Sequence, residues 1–214
     1  MSSAVRTILV TGFEPFGGES INASWEAAQK LEGWRQGGTT AATRLLPCAY
    51  EASVKELVRL IEALQPEALL MTGQAARRAI VCVERFAHNL DDASAPDNDG
   101  ELRRALRISR AAPDWLEATA PASVIARAIK QAGIPARLSR NAGAFVCNHL
   151  YFAALQYLDS KGSPIPAVFV HLPVTPEQTP RGASVKPLPP ARAADALRIA
   201  ATVLVDRPKP AETA

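Results

Sequence analysis

The 214-residue sequence is sparing with the side chains that do most protein chemistry: three cysteines, three histidines, and only 6% aromatics. Cys48, Cys82 and Cys147 are far apart, which excludes a disulfide framework and a Cys-x-x-Cys metal knuckle. Apolar runs all fall short of the roughly 18 residues that cross a bilayer, so no membrane association is expected. A net charge of +3 without a Lys/Arg block argues against nucleic acid as a partner. The opening "MSSAVRTILVTGF" leads into a Gly-Pro turn instead of a cleavage site, and reads as a first strand. Together with unpaired thiols, this gives the expectation of a cytoplasmic protein. The glycine-rich "TGFEPFGGES" (11–20) lacks both Lys-Ser/Thr after its second glycine and the G-x-G-x-x-G spacing. Glu14 and Glu19 would also repel a phosphate, so a nucleotide is not expected.

What is present is ordinary globular composition, 48% apolar and 21% charged, in segments that alternate between β and helical patterning. Strands are expected at 6–13, 42–50, 67–73, 79–89, 134–140 and 165–174. Helices are expected at 22–31, capped by Asn22 or Ser24, and at 50–64, 120–133 and 191–205. A further helical face joins Cys147, Leu150, Tyr151, Ala154 and Leu158. This order predicts an α/β fold with a largely parallel sheet in a single domain over 1–206, with 207–214 a frayed tail.

In such sheets functional groups collect beyond the carboxyl ends of strands, which draws attention to three residues. Cys147 follows a small-residue turn (141–144) at the start of a helix. There unpaired N–H groups and the helix dipole favour a thiolate and can hold an oxyanion. The competing reading is a buried thiol acting as a small hydrophobe. His171 ends an apolar strand, where it is either a core histidine or a base. Glu84, in the apolar "VCVERFAHN", needs a partner. That partner is an arginine (Arg77, Arg78 or Arg85), or else the imidazole of His171, which would complete a Cys-His-acid triad. His149 lies two residues from Cys147 on the same helix and faces elsewhere. His88 has no supporting context. Phe13 and Phe16, three apart on a stiff turn, are either walls for a small flat ligand or aromatic pins for the turn.

Three blocks, "GQAARRAIVCVERFAHN", "SRNAGAFVCNHLYFAAL" and "VFVHLPVTPEQ", together with "ILVTGFEPFGG" and "NASWEA", resemble the pyroglutamyl peptidase I (pyrrolidone-carboxylate peptidase) family. The resemblance implies a three-layer α/β/α sandwich and a cysteine exopeptidase, without metal or organic cofactor, that removes N-terminal pyroglutamate from small peptides. It implies Cys147 as nucleophile, His171 as base and Glu84 as orienting acid. Phe13 and Phe16 would enclose the lactam ring, Asn22 would support the pocket loop, and Gln74 with backbone near Phe145 and Val146 would bind the lactam polar groups. A homodimer or homotetramer is implied on the same ground. The sequence departs from the family at Ser94, where an arginine associated with oxyanion stabilisation is usual, and "GQAARR" is less glycine-rich than typical. Ser94 motivates a second reading, a binding protein that keeps the pocket without efficient turnover; a third keeps the triad and changes the acyl group.

Overall fold

In the first strand Ile8 and Val10 alternate with Leu9, all three fully buried but in different cores, because successive side chains of a strand leave on opposite faces. That alternation builds the layers. The computed structural model describes residues 6–179 and 186–206. Its elements run β1 (Arg6–Phe13), α1 (Ala23–Ala28), β2 (Arg35–Gln36), β3 (Thr39–Leu46), α2 (Tyr50–Leu64), β4 (Ala68–Gln74), β5 (Val81–Glu84) and β6 (Phe86–His88). They continue with β7 (Trp115–Glu117), α3 (Ala122–Gln131), β8 (Ala136–Ser139), α4 (Val146–Ser160), β9 (Ala167–Leu172) and α5 (Pro190–Val205). The single α/β domain expected from the sequence matches this order; residues 1–5 of its expected span and the expected tail, 207–214, lie outside the described residues.

Seven strands form the main sheet in the order β2-β3-β1-β4-β9-β5-β8. The run from β3 to β9 is parallel, β2 is an antiparallel edge, and β5 with its parallel neighbour β8 runs against β9. Ile8, Val10, Leu70, Val83, Val168 and Val170 bury one face under α1, α3 and α5. Leu9, Leu69, Met71 and Phe169 bury the other under α2 and α4. The result is the expected sandwich, with the sheet covered on both sides.

Two expected strands shift for identifiable reasons. The segment 42–50 divides: β3 stops at Leu46, because Pro47 has no N–H to continue the ladder. α2 then begins at Tyr50, whose N–H donates to Asp97 Oδ2 at 2.9 Å. The segment 79–89 also divides. Arg85 interrupts the apolar alternation with an ion pair to Glu117 at 2.8 Å, and β6 leaves the main sheet to pair with β7.

Candidate active site

Register brings the chemistry together. His171 lies opposite Cys82 in the antiparallel β5–β9 pair, and Glu84 opposite Phe169, so Glu84 and His171 are diagonal neighbours on one face. Glu84 Oε1 accepts a hydrogen bond from His171 Nδ1 at 2.9 Å, in a spot where the carboxylate is fully buried and the ring nearly so. The same oxygen accepts from Arg78, whose other terminal nitrogen donates to the Asn141 carbonyl at 2.6 Å. The arginine and histidine partners weighed for Glu84 therefore coexist. Arg85 pairs with Glu117 instead, and Arg77 makes no ion pair or hydrogen bond with any described residue.

Burial pushes the Glu84 carboxyl upward, but the hydrogen bond and charge of His171, with Ser139 and Arg78, outweigh it and hold the group below its ordinary value. An ionised carboxylate can only accept, so Nδ1 carries a proton, and Nε2 is the nitrogen left for the cavity that His171 lines. Glu84 Oε2 is buried without a hydrogen-bond partner among the described residues, so it is Oε1 that orients the imidazole.

Cys147 occupies the first turn of α4 and is half-buried. The turn before it is closed by Gly143 N–H donating to Asn141 Oδ1 at 2.8 Å, with Gly143 at φ +87°, a conformation glycine adopts without steric penalty. Phe145 precedes the helix and offers no side-chain cap, which leaves the first N–H groups of α4 for a ligand. The expected thiolate does not follow from position alone. Burial and the Glu84 charge, partly offset by Arg78, push the Cys147 thiol up to about 12. Below the sulfur lies Gly73, in register with His171; a Cβ there would come within 2.8 Å of Cys147 Sγ and 2.8 Å of Phe169 Cζ. Glycine at 73 is thus what lets the sulfur approach the strand that carries His171.

Cys147 and His171 line one cavity of about 110 Å³ with Phe13, Phe16, Asn22, Cys48, Gln74 and Phe145. That is small beside the roughly 300–1,000 Å³ of sites for drug-sized ligands, so a single small ring is the size it fits. Phe16 and Phe145 meet at 5.9 Å between ring centroids, and Phe145 stands edge-on to Tyr50 at 5.7 Å. Asn22 caps α1, accepting from the Ser24 N–H at 3.0 Å, and its Nδ2 donates to the Glu14 carbonyl at 2.9 Å. Gln74 Oε1 accepts from the Ala23 N–H at 2.7 Å, which assigns Nε2 as the donor left for the cavity. Val146 is buried at the start of α4.

His149 faces away from this cavity. Its Nδ1 meets Asp91 Oδ2 at 2.8 Å, Arg103 pairs with the same carboxylate at 2.9 Å, and its ring stands edge-on to Tyr50. His88 Nε2 lies 3.0 Å from the Arg140 carbonyl. Sequence reasoning missed the structural use of Glu14, whose Oε1 accepts from the Cys48 N–H and from Asn98 Nδ2, fastening the Phe13–Phe16 turn. It also missed Gly73 and Cys48 as members of the site. No composition or spacing signal marks them, since both act through three-dimensional proximity. Ser94 lines a wider cleft beside the cavity, together with Arg77 and Arg78.

Residues 6–207 match the family model described as pyroglutamyl peptidase. A pyrrolidone-carboxylate peptidase of Chromobacterium violaceum is 40% identical over 205 residues, covering 96% of this chain and 95% of that protein. One from Escherichia fergusonii is 41% identical over 194 residues, 91% and 88% of the two chains. The crystal structure of pyroglutamyl peptidase I from Bacillus amyloliquefaciens superposes with a TM-score of 0.91 at 35% identity, over 95% of this chain and 97% of that one.

Proposed function

Since the chain belongs to the pyroglutamyl peptidase family of cysteine peptidases, we propose that it removes N-terminal pyroglutamate from small peptides, with Cys147, His171 and Glu84 as its triad. The observation that carries this reading is the shared cavity. A half-buried thiol and an imidazole line one small, aromatic-walled space, and a buried carboxylate orients the imidazole from behind.

A pyroglutamyl residue has no free α-amine, so recognition through an aminopeptidase-style carboxylate has nothing to grip. A flat lactam instead suits apolar walls with a few amide-matching polar groups. Phe13, Phe16 and Phe145 supply the walls, Gln74 Nε2 a donor for the ring carbonyl, and the backbone near Phe145 and Val146 the remaining partners.

His171 Nε2 takes the thiol proton as sulfur attacks the carbonyl that links pyroglutamate to the next residue. Glu84 stabilises the imidazolium that forms. The oxyanion meets the uncapped N–H groups at the start of α4, where the helix dipole also favours negative charge. His171 then protonates the leaving amine, the C–N bond breaks, and a thioacyl-enzyme remains. Water, deprotonated by the same nitrogen, displaces the sulfur and frees pyroglutamate.

Hydrolysis of pyroglutamyl p-nitroanilide tests the reading. Cys147→Ala is expected to reduce kcat by at least about 10⁴-fold, whereas Cys48→Ala, in the same cavity, keeps most of it. Equal rates for wild type and Cys147→Ala would sink the mechanism. Tight pyroglutamate binding by a wild type without turnover would favour the non-catalytic alternative suggested by Ser94.

A further inference from the structure

The small cavity opens into a second cleft of about 500 Å³, and Phe16, Phe145 and His171 belong to both. His171 Nδ1 is committed to Glu84, so protons pass through Nε2. On the proposed function the acyl group fills the small side, which leaves the large side for the amine that receives the proton. Alanines and glycines dominate the cleft wall, which carries three charged side chains: Arg77, Arg78 and Asp92. Arg78 is held by Glu84 and by the Asn141 carbonyl. Asp92 Oδ1 accepts from the Ala105 N–H at 3.3 Å. Arg77 is the third residue of a tight turn closed by the Arg78 N–H donating to the Ala75 carbonyl at 2.9 Å, and it lines the cleft. It is exposed and has no partner among the described residues.

We propose that this cleft receives the leaving peptide and that Arg77 is a specificity-determining residue there, favouring substrates with a carboxylate close behind the scissile bond. That carboxylate is either the C-terminus of a pyroglutamyl dipeptide or an acidic side chain next to pyroglutamate. The inference rests on the proposed function. Because Arg77 is exposed, the attraction is screened and modest. Exposed pairs correspond to roughly two- to fivefold at physiological salt, rising as ionic strength falls.

The test compares kcat/KM for pyroglutamyl-alanine, pyroglutamyl-alanine amide, pyroglutamyl-aspartate amide and pyroglutamyl-lysine amide, using wild type, Arg77→Gln and Arg77→Glu. Wild type is expected to favour the anionic substrates over the neutral amide by about two- to fivefold. Arg77→Gln removes that preference and leaves the neutral amide within about twofold, since Arg77 touches no group of the triad. Arg77→Glu inverts the order toward the lysine amide. A preference confined to the free acid identifies the C-terminal carboxylate, and one shared by the aspartate amide identifies the side chain. Unchanged ratios in both variants overturn the role of Arg77. If wild type cleaves none of the four, the proposed function fails with it.

Discussion

At the scale of single residues, the thiol at rest and the thiol in action are different species. With its pKa pushed up to about 12 by burial and the Glu84 charge, Cys147 alone stays protonated at neutral pH. On the proposed mechanism, reactivity near neutral pH comes from transfer of the proton to His171. Alkylation of Cys147 by iodoacetamide at pH 7.5 is therefore expected to slow by at least about tenfold in His171→Ala, read by mass spectrometry of the labelled protein. An unchanged rate would mean the sulfur ionises without the imidazole. Glu84→Gln keeps the shape but loses the charge that stabilises the imidazolium and leaves Arg78 unpaired. It is expected to lower kcat by about 10²–10⁴-fold with little change in KM, whereas a rise confined to KM would place Glu84 in substrate binding. The three residues were legible as candidates from their types and their places near strand ends and a helix start. That Arg78 shares the same Glu84 oxygen was not, because one sequence cannot say which of three nearby arginines reaches it.

At the scale of elements, local signals served well where local physics decides. β1 and α2 occupy the expected residues, since a continuous apolar run and a 3.6-residue apolar stripe each dictate one conformation. Strand direction is a tertiary property, and it escaped. Glu84 does close its strand, as expected, but a largely parallel sheet did not say which neighbours would reverse: β5 is parallel to β8 and runs against β9. The pairing of Glu84 with His171 survives because diagonal neighbours in an antiparallel pair share a face. The contact between α4 and β4 was equally hidden, although it fixes how near the Cys147 sulfur comes to the sheet. Gly73→Ala tests it. A Cβ within 2.8 Å of both Cys147 Sγ and Phe169 Cζ forces one of them to move. Overpacking of this kind costs about 1–3 kcal/mol, while displacement of a reacting atom by about 1 Å can cost on the order of 10²-fold in rate. The variant is expected to fold, with a modestly lowered midpoint in urea, and to lose at least about 100-fold in kcat/KM. Full activity would show that the sulfur does not need this approach.

At the scale of the whole molecule, a layered core dense in apolar side chains encloses a few titratable groups, and these set the pH limits of the fold. Glu84 has its folded value held below the ordinary carboxylate range, so the stability it contributes is present above about 4.5 and is lost as pH falls through the depressed value. Cys147 is shifted the other way, from 9.0 to about 12, so the folded state keeps a proton that the unfolded chain releases. Stability from this group is fully present below about 9 and declines as pH rises toward 12. Cys48, Tyr50 and Tyr151 are raised first of all by burial and slope in the same direction. Urea unfolding followed from pH 3 to 11 is therefore expected to show a plateau between about pH 5 and 9 with a fall on each side. Cys147→Ala removes one of the groups that release a proton on unfolding, so its alkaline fall should be shallower than that of wild type while its acid limb is unchanged. Parallel alkaline limbs for the two proteins would show that the thiol at 147 is not protonated by the fold, and with that the case for His171 as the group that must remove its proton would collapse.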